Sequence, residues 1–281
     1  MMIVQKDKGV LMDLIYCDKL WSGITDGLEA WNCDWKDRVD GLGQTAKVNK
    51  RRNCKNFSDG EIFEGIFKAV LSNATDWSKV EAVLPELYGC VHDFDVEWYS
   101  NLSDIDDIAM WFELRKAGAP YLRQNLKLLV NAAGKLSEQR RRHGSLDRYF
   151  GSMSDLVNGD AIAMARLIGD KSEHKLPGLG VPIAAEALKN IGYDVAKPDR
   201  HVNRAIGSFN LYKFKRWSDQ SGTKAPVVTS KECVDVMRVV EDFASNLRLT
   251  STFVDNAIWL LCAKSGAYYT NEKLRLIWDN N

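Results

Sequence analysis

The chain has 281 residues, of which 38 are basic and 38 acidic, so its formal charge is zero. With 45 % hydrophobic and 27 % charged residues it has the composition of a folded protein, which excludes wholesale disorder and collagen-like or mucin-like chains. Zero net charge argues against a protein that coats nucleic acid by bulk electrostatics, but leaves room for a local basic face.

The length suits one large domain or two of roughly 100–200 residues. No apolar run approaches the ~20 residues needed to cross a bilayer, so no membrane partner is expected. Residues 1–18 lack an apolar core segment and a small-residue cleavage site, so no signal peptide is expected either. The six cysteines stand at 17, 33, 54, 90, 233 and 262, with no CxxC and no Cys/His zinc spacing. Free thiols in a reducing cytoplasm are the reading, nucleoid-associated if the source is bacterial.

The pattern is helical almost throughout. The first 57 residues read least clearly; they hold Trp21, Trp31, Trp35 and the basic run Lys47, Lys50, Arg51, Arg52, Lys55. Ser58 with Glu61 forms a capping box ahead of Ile62, Phe63, Ile66, Phe67, Val70 and Leu71, which recur at helical spacing. Ser103 with Asp106 predicts the start of the next long helix, and Gly118 with Pro120 its end. Leu122, Leu126, Leu129, Val130 and Ala133 form an apolar stripe that Gly134 closes, and the polar, basic stretch 134–144 reads as a break. Asp160 caps a helix over 161–168. Further helices are expected at about 182–191, 201–210, 230–247 and 253–264, with an irregular connection over 213–228.

Charge is unevenly distributed. Residues 85–113 hold eight acidic side chains and no Lys or Arg, whereas 36–55 carries seven basic and two acidic, and 171–224 ten basic and five acidic. Each basic run is either a face for an anionic partner or a set of solvated helix faces.

The richest stretch is 175–204. Leu176-Pro177-Gly178-Leu179-Gly180 lies between two helical segments, and its two glycines permit a tight turn with positive φ. Such a turn leaves backbone N–H groups free at the start of the next helix, where they and the helix dipole favour a phosphate. That contact is indifferent to base sequence. A plain helix–turn–helix connection is the alternative. Beyond it comes Lys197-Pro198-Asp199-Arg200-His201-Val202-Asn203-Arg204, with Asp199 nineteen residues after Gly180. Pro198 disfavours helix at Lys197, and Asp199 is placed to cap the helix that follows.

These segments together resemble the helix-hairpin-helix DNA glycosylase superfamily. Leu176 to Ala185 is similar to its hairpin, and Val195 to Val202 to its catalytic segment. Phe63 to Thr75 resembles its early helix and the loop that enters the duplex. Leu102 to Ala133, then Gly144 to Leu146, resembles the helices between. The likeness covers about 58–210 and is weak over 1–57.

The resemblance implies an all-α fold in two lobes with a substrate cleft between them. One lobe is a bundle over 58–168; the other joins 1–57 to 169–281 and carries the hairpin. It implies that Asp199 is the catalytic carboxylate facing the cleft. A fixed carboxylate stabilises the positive charge that builds on the sugar as an N-glycosidic bond breaks, and can orient or deprotonate the attacking water. Leu176, Pro177, Gly178, Leu179 and Gly180, with Arg200, His201 and Arg204, would hold the DNA backbone, though His201 reads equally as a packed helix residue. Asn73 would fill the gap left by a flipped base, or else end its helix. Trp31, Trp35 and Trp77 are candidate walls of the base pocket; Trp77, with Trp111, also fits the core, and Trp31 and Trp35, with Trp21, also fit a cover over the C-terminal half. Asp255 is expected to be a structural partner of the catalytic segment.

Bifunctional members carry a nucleophilic Lys two residues after the last hairpin glycine; here that residue is Pro182. The expectation is therefore a monofunctional DNA glycosylase acting on a damaged or modified base in double-stranded DNA, as a monomer. Lys175 and Lys197 are near in sequence but do not match the motif. A glycosylase with AP lyase activity and a non-catalytic helix-hairpin-helix DNA-binding protein remain the alternatives. Only Cys233 and Cys262 follow Asp199, too few for the four-cysteine iron–sulfur cluster of some members. A monovalent cation at the hairpin carbonyls is implied by the resemblance alone. The cleft is expected to be positive, with 85–113 facing away from DNA.

Overall fold

A computed structural model describes residues 14–72, 77–117 and 121–279. Among them the regular elements are all helical. In chain order they are α1 (Leu14–Trp31), α2 (Trp35–Gly41), α3 (Gln44–Arg52), α4 (Asp59–Leu71), α5 (Trp77–Glu81), α6 (Leu84–Cys90), a 3₁₀ turn (His92–Phe94), α7 (Val96–Ser100), α8 (Asp106–Leu114), α9 (Leu122–His143), α10 (Leu146–Leu156), α11 (Ala161–Gly169), α12 (Val181–Asn190), α13 (Arg200–Ser208), α14 (Ser230–Asn246), α15 (Ser251–Cys262) and α16 (Asn271–Asp279). No described helix is long and apolar enough to cross a membrane. All six cysteines are free thiols.

The chain divides into two compact units, 47–193 and 1–46 with 194–281. The division differs from the expected lobes: 47–57 and the hairpin segment 169–193 pack with the unit that holds α4, while Asp199 belongs to the other.

In the 47–193 unit, α4 starts as its sequence dictates. Ser58 accepts from Glu61 N–H, and the Glu61 side chain accepts from Ser58 N–H. Its apolar stripe is buried, with Phe63, Phe67, Phe94 and Tyr99 meeting edge to face. The helix lies along α12, where Asn190 Nδ2 donates to the Gly65 carbonyl (2.9 Å).

Ser103 does not cap the next helix: α8 begins later, at Asp106, with Ile105 at its N-cap and no side-chain cap, and is nine residues long; the predicted stop at 118–120 lies outside the described residues. The expected break at 134–144 is helix instead: α9 runs through Gly134 and ends on Gly144 (φ +80°). One exposed glycine costs a helix about 1 kcal/mol. Burial of Leu136 offsets that, and part-exposed Arg140 anchors the helix to Asp59 (2.5 Å) and Glu97 (3.4 Å).

The 1–46 and 194–281 unit has one apolar core. Leu20, Ile24 and Leu28 of α1 and Trp35 of α2 meet Val202 and Ile206 of α13, Val236 and Phe243 of α14, and Val254 and Ile258 of α15. The connection over 213–228 is irregular, as expected.

Candidate functional site

The segment ahead of α13 is strapped to the start of α15. Asp194 Oδ1 accepts from Thr252 N–H (2.9 Å), and Thr252 Oγ1 donates to the Val195 carbonyl (3.4 Å). Lys197 N–H donates to Oδ1 of Asp255 (3.2 Å), a side chain only 2 % exposed. Asp255 is thus a structural partner of the segment that holds Asp199, as expected. Asn203 Nδ2 reaches back to the Pro198 carbonyl (2.9 Å). These bonds fix the chain on both sides of Asp199.

Asp199 is the N-cap of α13. Its Oδ1 accepts both from His201 N–H (2.7 Å) and from Val202 N–H (3.0 Å), and the carboxylate is half-buried. Both capping bonds fall on Oδ1, so Oδ2 takes no part in the cap. The geometry therefore holds an anionic oxygen in a fixed direction, as charge stabilisation or water orientation requires.

Its neighbours divide into three kinds. Arg200 is exposed, with Nε 3.3 Å from His201 Nε2. His201 is largely enclosed, edge to face with Trp259, and its Nδ1 is buried without a partner. Burial pulls its pKa down to about 4 from 6.5; Asp199 opposes this, while Arg200, Arg204 and Lys197 add to it. The imidazole is thus neutral near pH 7, and its burial agrees with the packed-helix reading of this residue. Arg204 is corrected more fully. It is 1 % exposed, with Nη2 donating to the Cys262 carbonyl (2.7 Å) and Nη1 to Asn271 Oδ1 (3.2 Å), so it cannot reach a DNA backbone.

His201 carries a pH prediction. The unfolded chain protonates it near 6.5 and the folded chain only near 4. Between these values the unfolded state binds more protons, so this contribution to stability is present above 6.5 and is lost as pH falls towards 4. His201→Asn is expected to flatten the decline of Tm over that window. A variant with the wild-type slope would refute the assignment.

The hairpin joins α11 to α12. Asp160 caps α11 through Ile162 N–H (2.9 Å) and Ala163 N–H (3.0 Å), as its sequence predicts. Leu176 N–H donates to the Ile168 carbonyl (3.1 Å), folding the loop back on that helix. The side chains of Leu176 and Leu179 are buried and anchor the turn.

The two hairpin glycines differ. Gly178 has φ +81°, and a Cβ there would stand 2.9 Å from Leu128 Cβ. Gly180 is extended (φ −87°), with Pro182 Cδ the nearest heavy atom to a Cβ at 3.9 Å, so only the first needs positive φ. Gly178→Ala is expected to cost about 2 kcal/mol through the left-handed backbone and the Leu128 contact. Gly180→Ala should cost under about 1 kcal/mol. Thermal denaturation of the pair checks this, and equal Tm values would sink it.

α12 starts at Gly180 without a side-chain cap. The first bond of its turn runs from Ala184 N–H to the Gly180 carbonyl (2.8 Å), and the amides of Val181 and Ile183 precede it. Amides in the first turn of a helix have no intrahelical acceptor, which is the arrangement an anion uses. Pro182 sits in that turn, where its missing N–H costs nothing.

The charge runs are largely spoken for. In the 36–55 run, Arg51 binds Asp147 (2.9 Å) and the Ile191 carbonyl (2.9 Å), and Lys50 binds Glu61. In the acidic run, Glu86 pairs with Arg115, Asp106 and Glu113 with Arg123, and Glu97 with Arg140 and Arg141. Lys36, Arg38, Arg52 and Lys55 of this run are exposed.

Of the pocket candidates, Trp35 is 1 % exposed, with its ring against Trp21 and Phe253, which makes it a core residue. Trp31 packs partly buried on the same core. Trp77, at the start of α5, is half-buried. Asn73 lies outside the described residues.

The sequence matches no protein-family profile and no curated protein. Solved structures do resemble it. The chain is similar to the crystal structure of Methanocaldococcus jannaschii 8-oxoguanine DNA glycosylase, with a TM-score of 0.56 and 17 % identity over 88 % of this chain and 96 % of that one. It shares that fold. A second structure from the same organism, an 8-oxoguanine glycosylase/lyase in complex with a 15mer DNA containing 8-oxoguanine, gives a TM-score of 0.55 at the same identity and coverage.

Proposed function

We propose that this protein is a DNA N-glycosylase that hydrolyses the N-glycosidic bond of a damaged or modified base in double-stranded DNA, with Asp199 as its catalytic carboxylate. One observation carries this reading. In a chain with the fold of a DNA glycosylase, the carboxylate of the Lys197–Val202 segment is clamped at a helix start by one oxygen while the other takes no part in the cap. Bond cleavage builds positive charge on the sugar. A fixed Oδ2 lowers that barrier and accepts the proton of the attacking water.

The hairpin supplies the complementary function. First-turn amides of α12 suit a backbone phosphate, and Arg200 is an exposed cation in the catalytic segment. DNA affinity carried by so few contacts would fall only modestly with rising salt.

The monofunctional route is favoured by two residues. Pro182 stands where a hairpin nucleophile would be, and Lys175, the nearby amine, is held by two backbone carbonyls. A Schiff-base route needs an unencumbered amine at the sugar. The second reading, a glycosylase with lyase activity, is favoured by the DNA-bound structure of similar fold, which is a glycosylase/lyase.

The test is a panel of duplexes carrying alkylated, deaminated, mismatched and oxidised bases, 8-oxoguanine among them, with hot alkali to cleave abasic sites. Strand breaks that require alkali support the monofunctional enzyme. Breaks without alkali, with a borohydride-trapped adduct, support the lyase. Binding without breaks on any duplex would overturn the glycosylase reading in favour of a binding protein.

A further inference from the structure

The superfamily resemblance raises a monovalent cation at the hairpin carbonyls. Such a site needs several carbonyl oxygens with room for an ion between them. Here the Lys175 Nζ donates to the carbonyls of Gly169 and Leu179. Lys135 Nζ, from α9, donates to those of Glu173 and Lys175, the latter at 2.9 Å. Two ammonium groups thus take up four carbonyls of the loop, and an alkali cation drawn to the same oxygens would meet like charge. The residues present do not fit a bound alkali cation.

We propose that the Lys175 ammonium is a built-in substitute for that cation, clamping the end of α11 to the hairpin so that the hairpin is independent of alkali ions. The chemistry of the two carbonyls supports this. Gly169 is the last residue of α11, and the carbonyls of a helix's last turn have no intrahelical donor. They also lie at the negative end of the helix dipole, where a cation is stabilised. Leu179 lies ten residues on, directly before the Gly180 N-cap of α12, so one ammonium ties the two ends of the loop together.

The approach is close. A Cβ on Gly169 would stand 2.7 Å from both Cα and N of Val181, so the end of α11 abuts the start of α12. Burial pulls the Lys175 pKa below its usual value and Asp170 raises it. The clamp acts on the turn that presents the Val181 and Ile183 amides. Lys175 is therefore a positioning residue, and its contribution concerns the shape of the hairpin whether or not the chain excises bases.

Thermal denaturation without DNA tests it separately from the proposed activity. The wild-type protein is expected to have one Tm in potassium, sodium and tetramethylammonium chloride at matched ionic strength. Lys175→Ala in tetramethylammonium is expected to lose several degrees, and potassium or ammonium ions, small enough to enter the vacated space, to restore part of the loss. Lys175→Met keeps the packing of the stem and replaces the alanine variant if that fails to fold. A wild-type Tm that rises selectively in potassium or sodium would overturn the proposal, as would variants whose Tm is unchanged and indifferent to the cation. If neither variant folds, the wild-type series decides.

Discussion

Asp199→Asn is expected to lower the single-turnover rate of base release by about 10²–10⁴-fold while α13 stays in place. The two halves of that statement come from the two oxygens. Oδ1 accepts the amides of His201 and Val202, and an asparagine carbonyl accepts them as well, since Asn and Asp are equivalent as N-caps. Losing the charge at the helix start removes about 0.3–1 kcal/mol of dipole interaction, which is small against the catalytic loss. Oδ2 is replaced by an amide NH₂, which can neither stabilise developing positive charge nor take a proton.

The matched control is Asp199→Ala. It loses the cap as well as the charge and should cost about 1 kcal/mol of stability beyond the asparagine variant. Stopped-time excision assays on the best duplex, with Tm measured alongside, check both. Undiminished turnover in the asparagine variant would remove Asp199 from the mechanism. Equal losses of Tm in the two variants would show that the cap is not what holds it.

How far the sequence foretold this site depends on whether the deciding interaction was local. Caps are local, so Ser58 with Glu61, Asp160 and Asp199 each mark a helix start that the structure has. The hairpin was legible for the same reason, being bounded by Pro177 and two glycines, although only Gly178 uses its freedom.

What failed was governed by distant residues. Gly134 reads as a stop, yet α9 continues because Leu136 is buried and Arg140 binds Asp59, 81 positions earlier in the chain. α16 was missed because its nine residues offer a short pattern, and its place is set by Asn271, which is fully buried and donates its backbone N–H to the Gly222 carbonyl (2.6 Å). Lysine and arginine give no sequence sign of whether they will be solvated or internal. Lys175, Arg200 and Arg204 look alike in the basic run, and the fold gives them three fates: a clamp on the hairpin, an exposed cation and a buried strut.

Arg204 is the second test with a large effect. Arg204→Met is expected to lower stability by about 3 kcal/mol, because it strips donors from buried acceptors and leaves a methionine in a space shaped for a guanidinium. Nη2 serves the Cys262 carbonyl at the end of α15, and Nη1 serves Asn271. Asn271 in turn donates through Nδ2 to the Lys224 carbonyl (2.8 Å), so the guanidinium supports the irregular connection over 213–228 as well as the helix end. Removing it leaves two buried acceptors short of a donor, each worth about 1–3 kcal/mol. At roughly 2–4 °C per kcal/mol for a chain of this size, Tm should fall by about 10 °C. Arg200→Ala is the contrast. It is exposed, so Tm should move by a degree or so while DNA affinity falls and its salt dependence weakens. The two arginines are four residues apart on one helix, and a reading of the sequence as a DNA-binding run treats them alike. Calorimetry and fluorescence anisotropy on the two variants separate structural from DNA-facing charge. A wild-type Tm with weakened DNA binding in Arg204→Met would return Arg204 to the DNA face and refute its place as a buried strut.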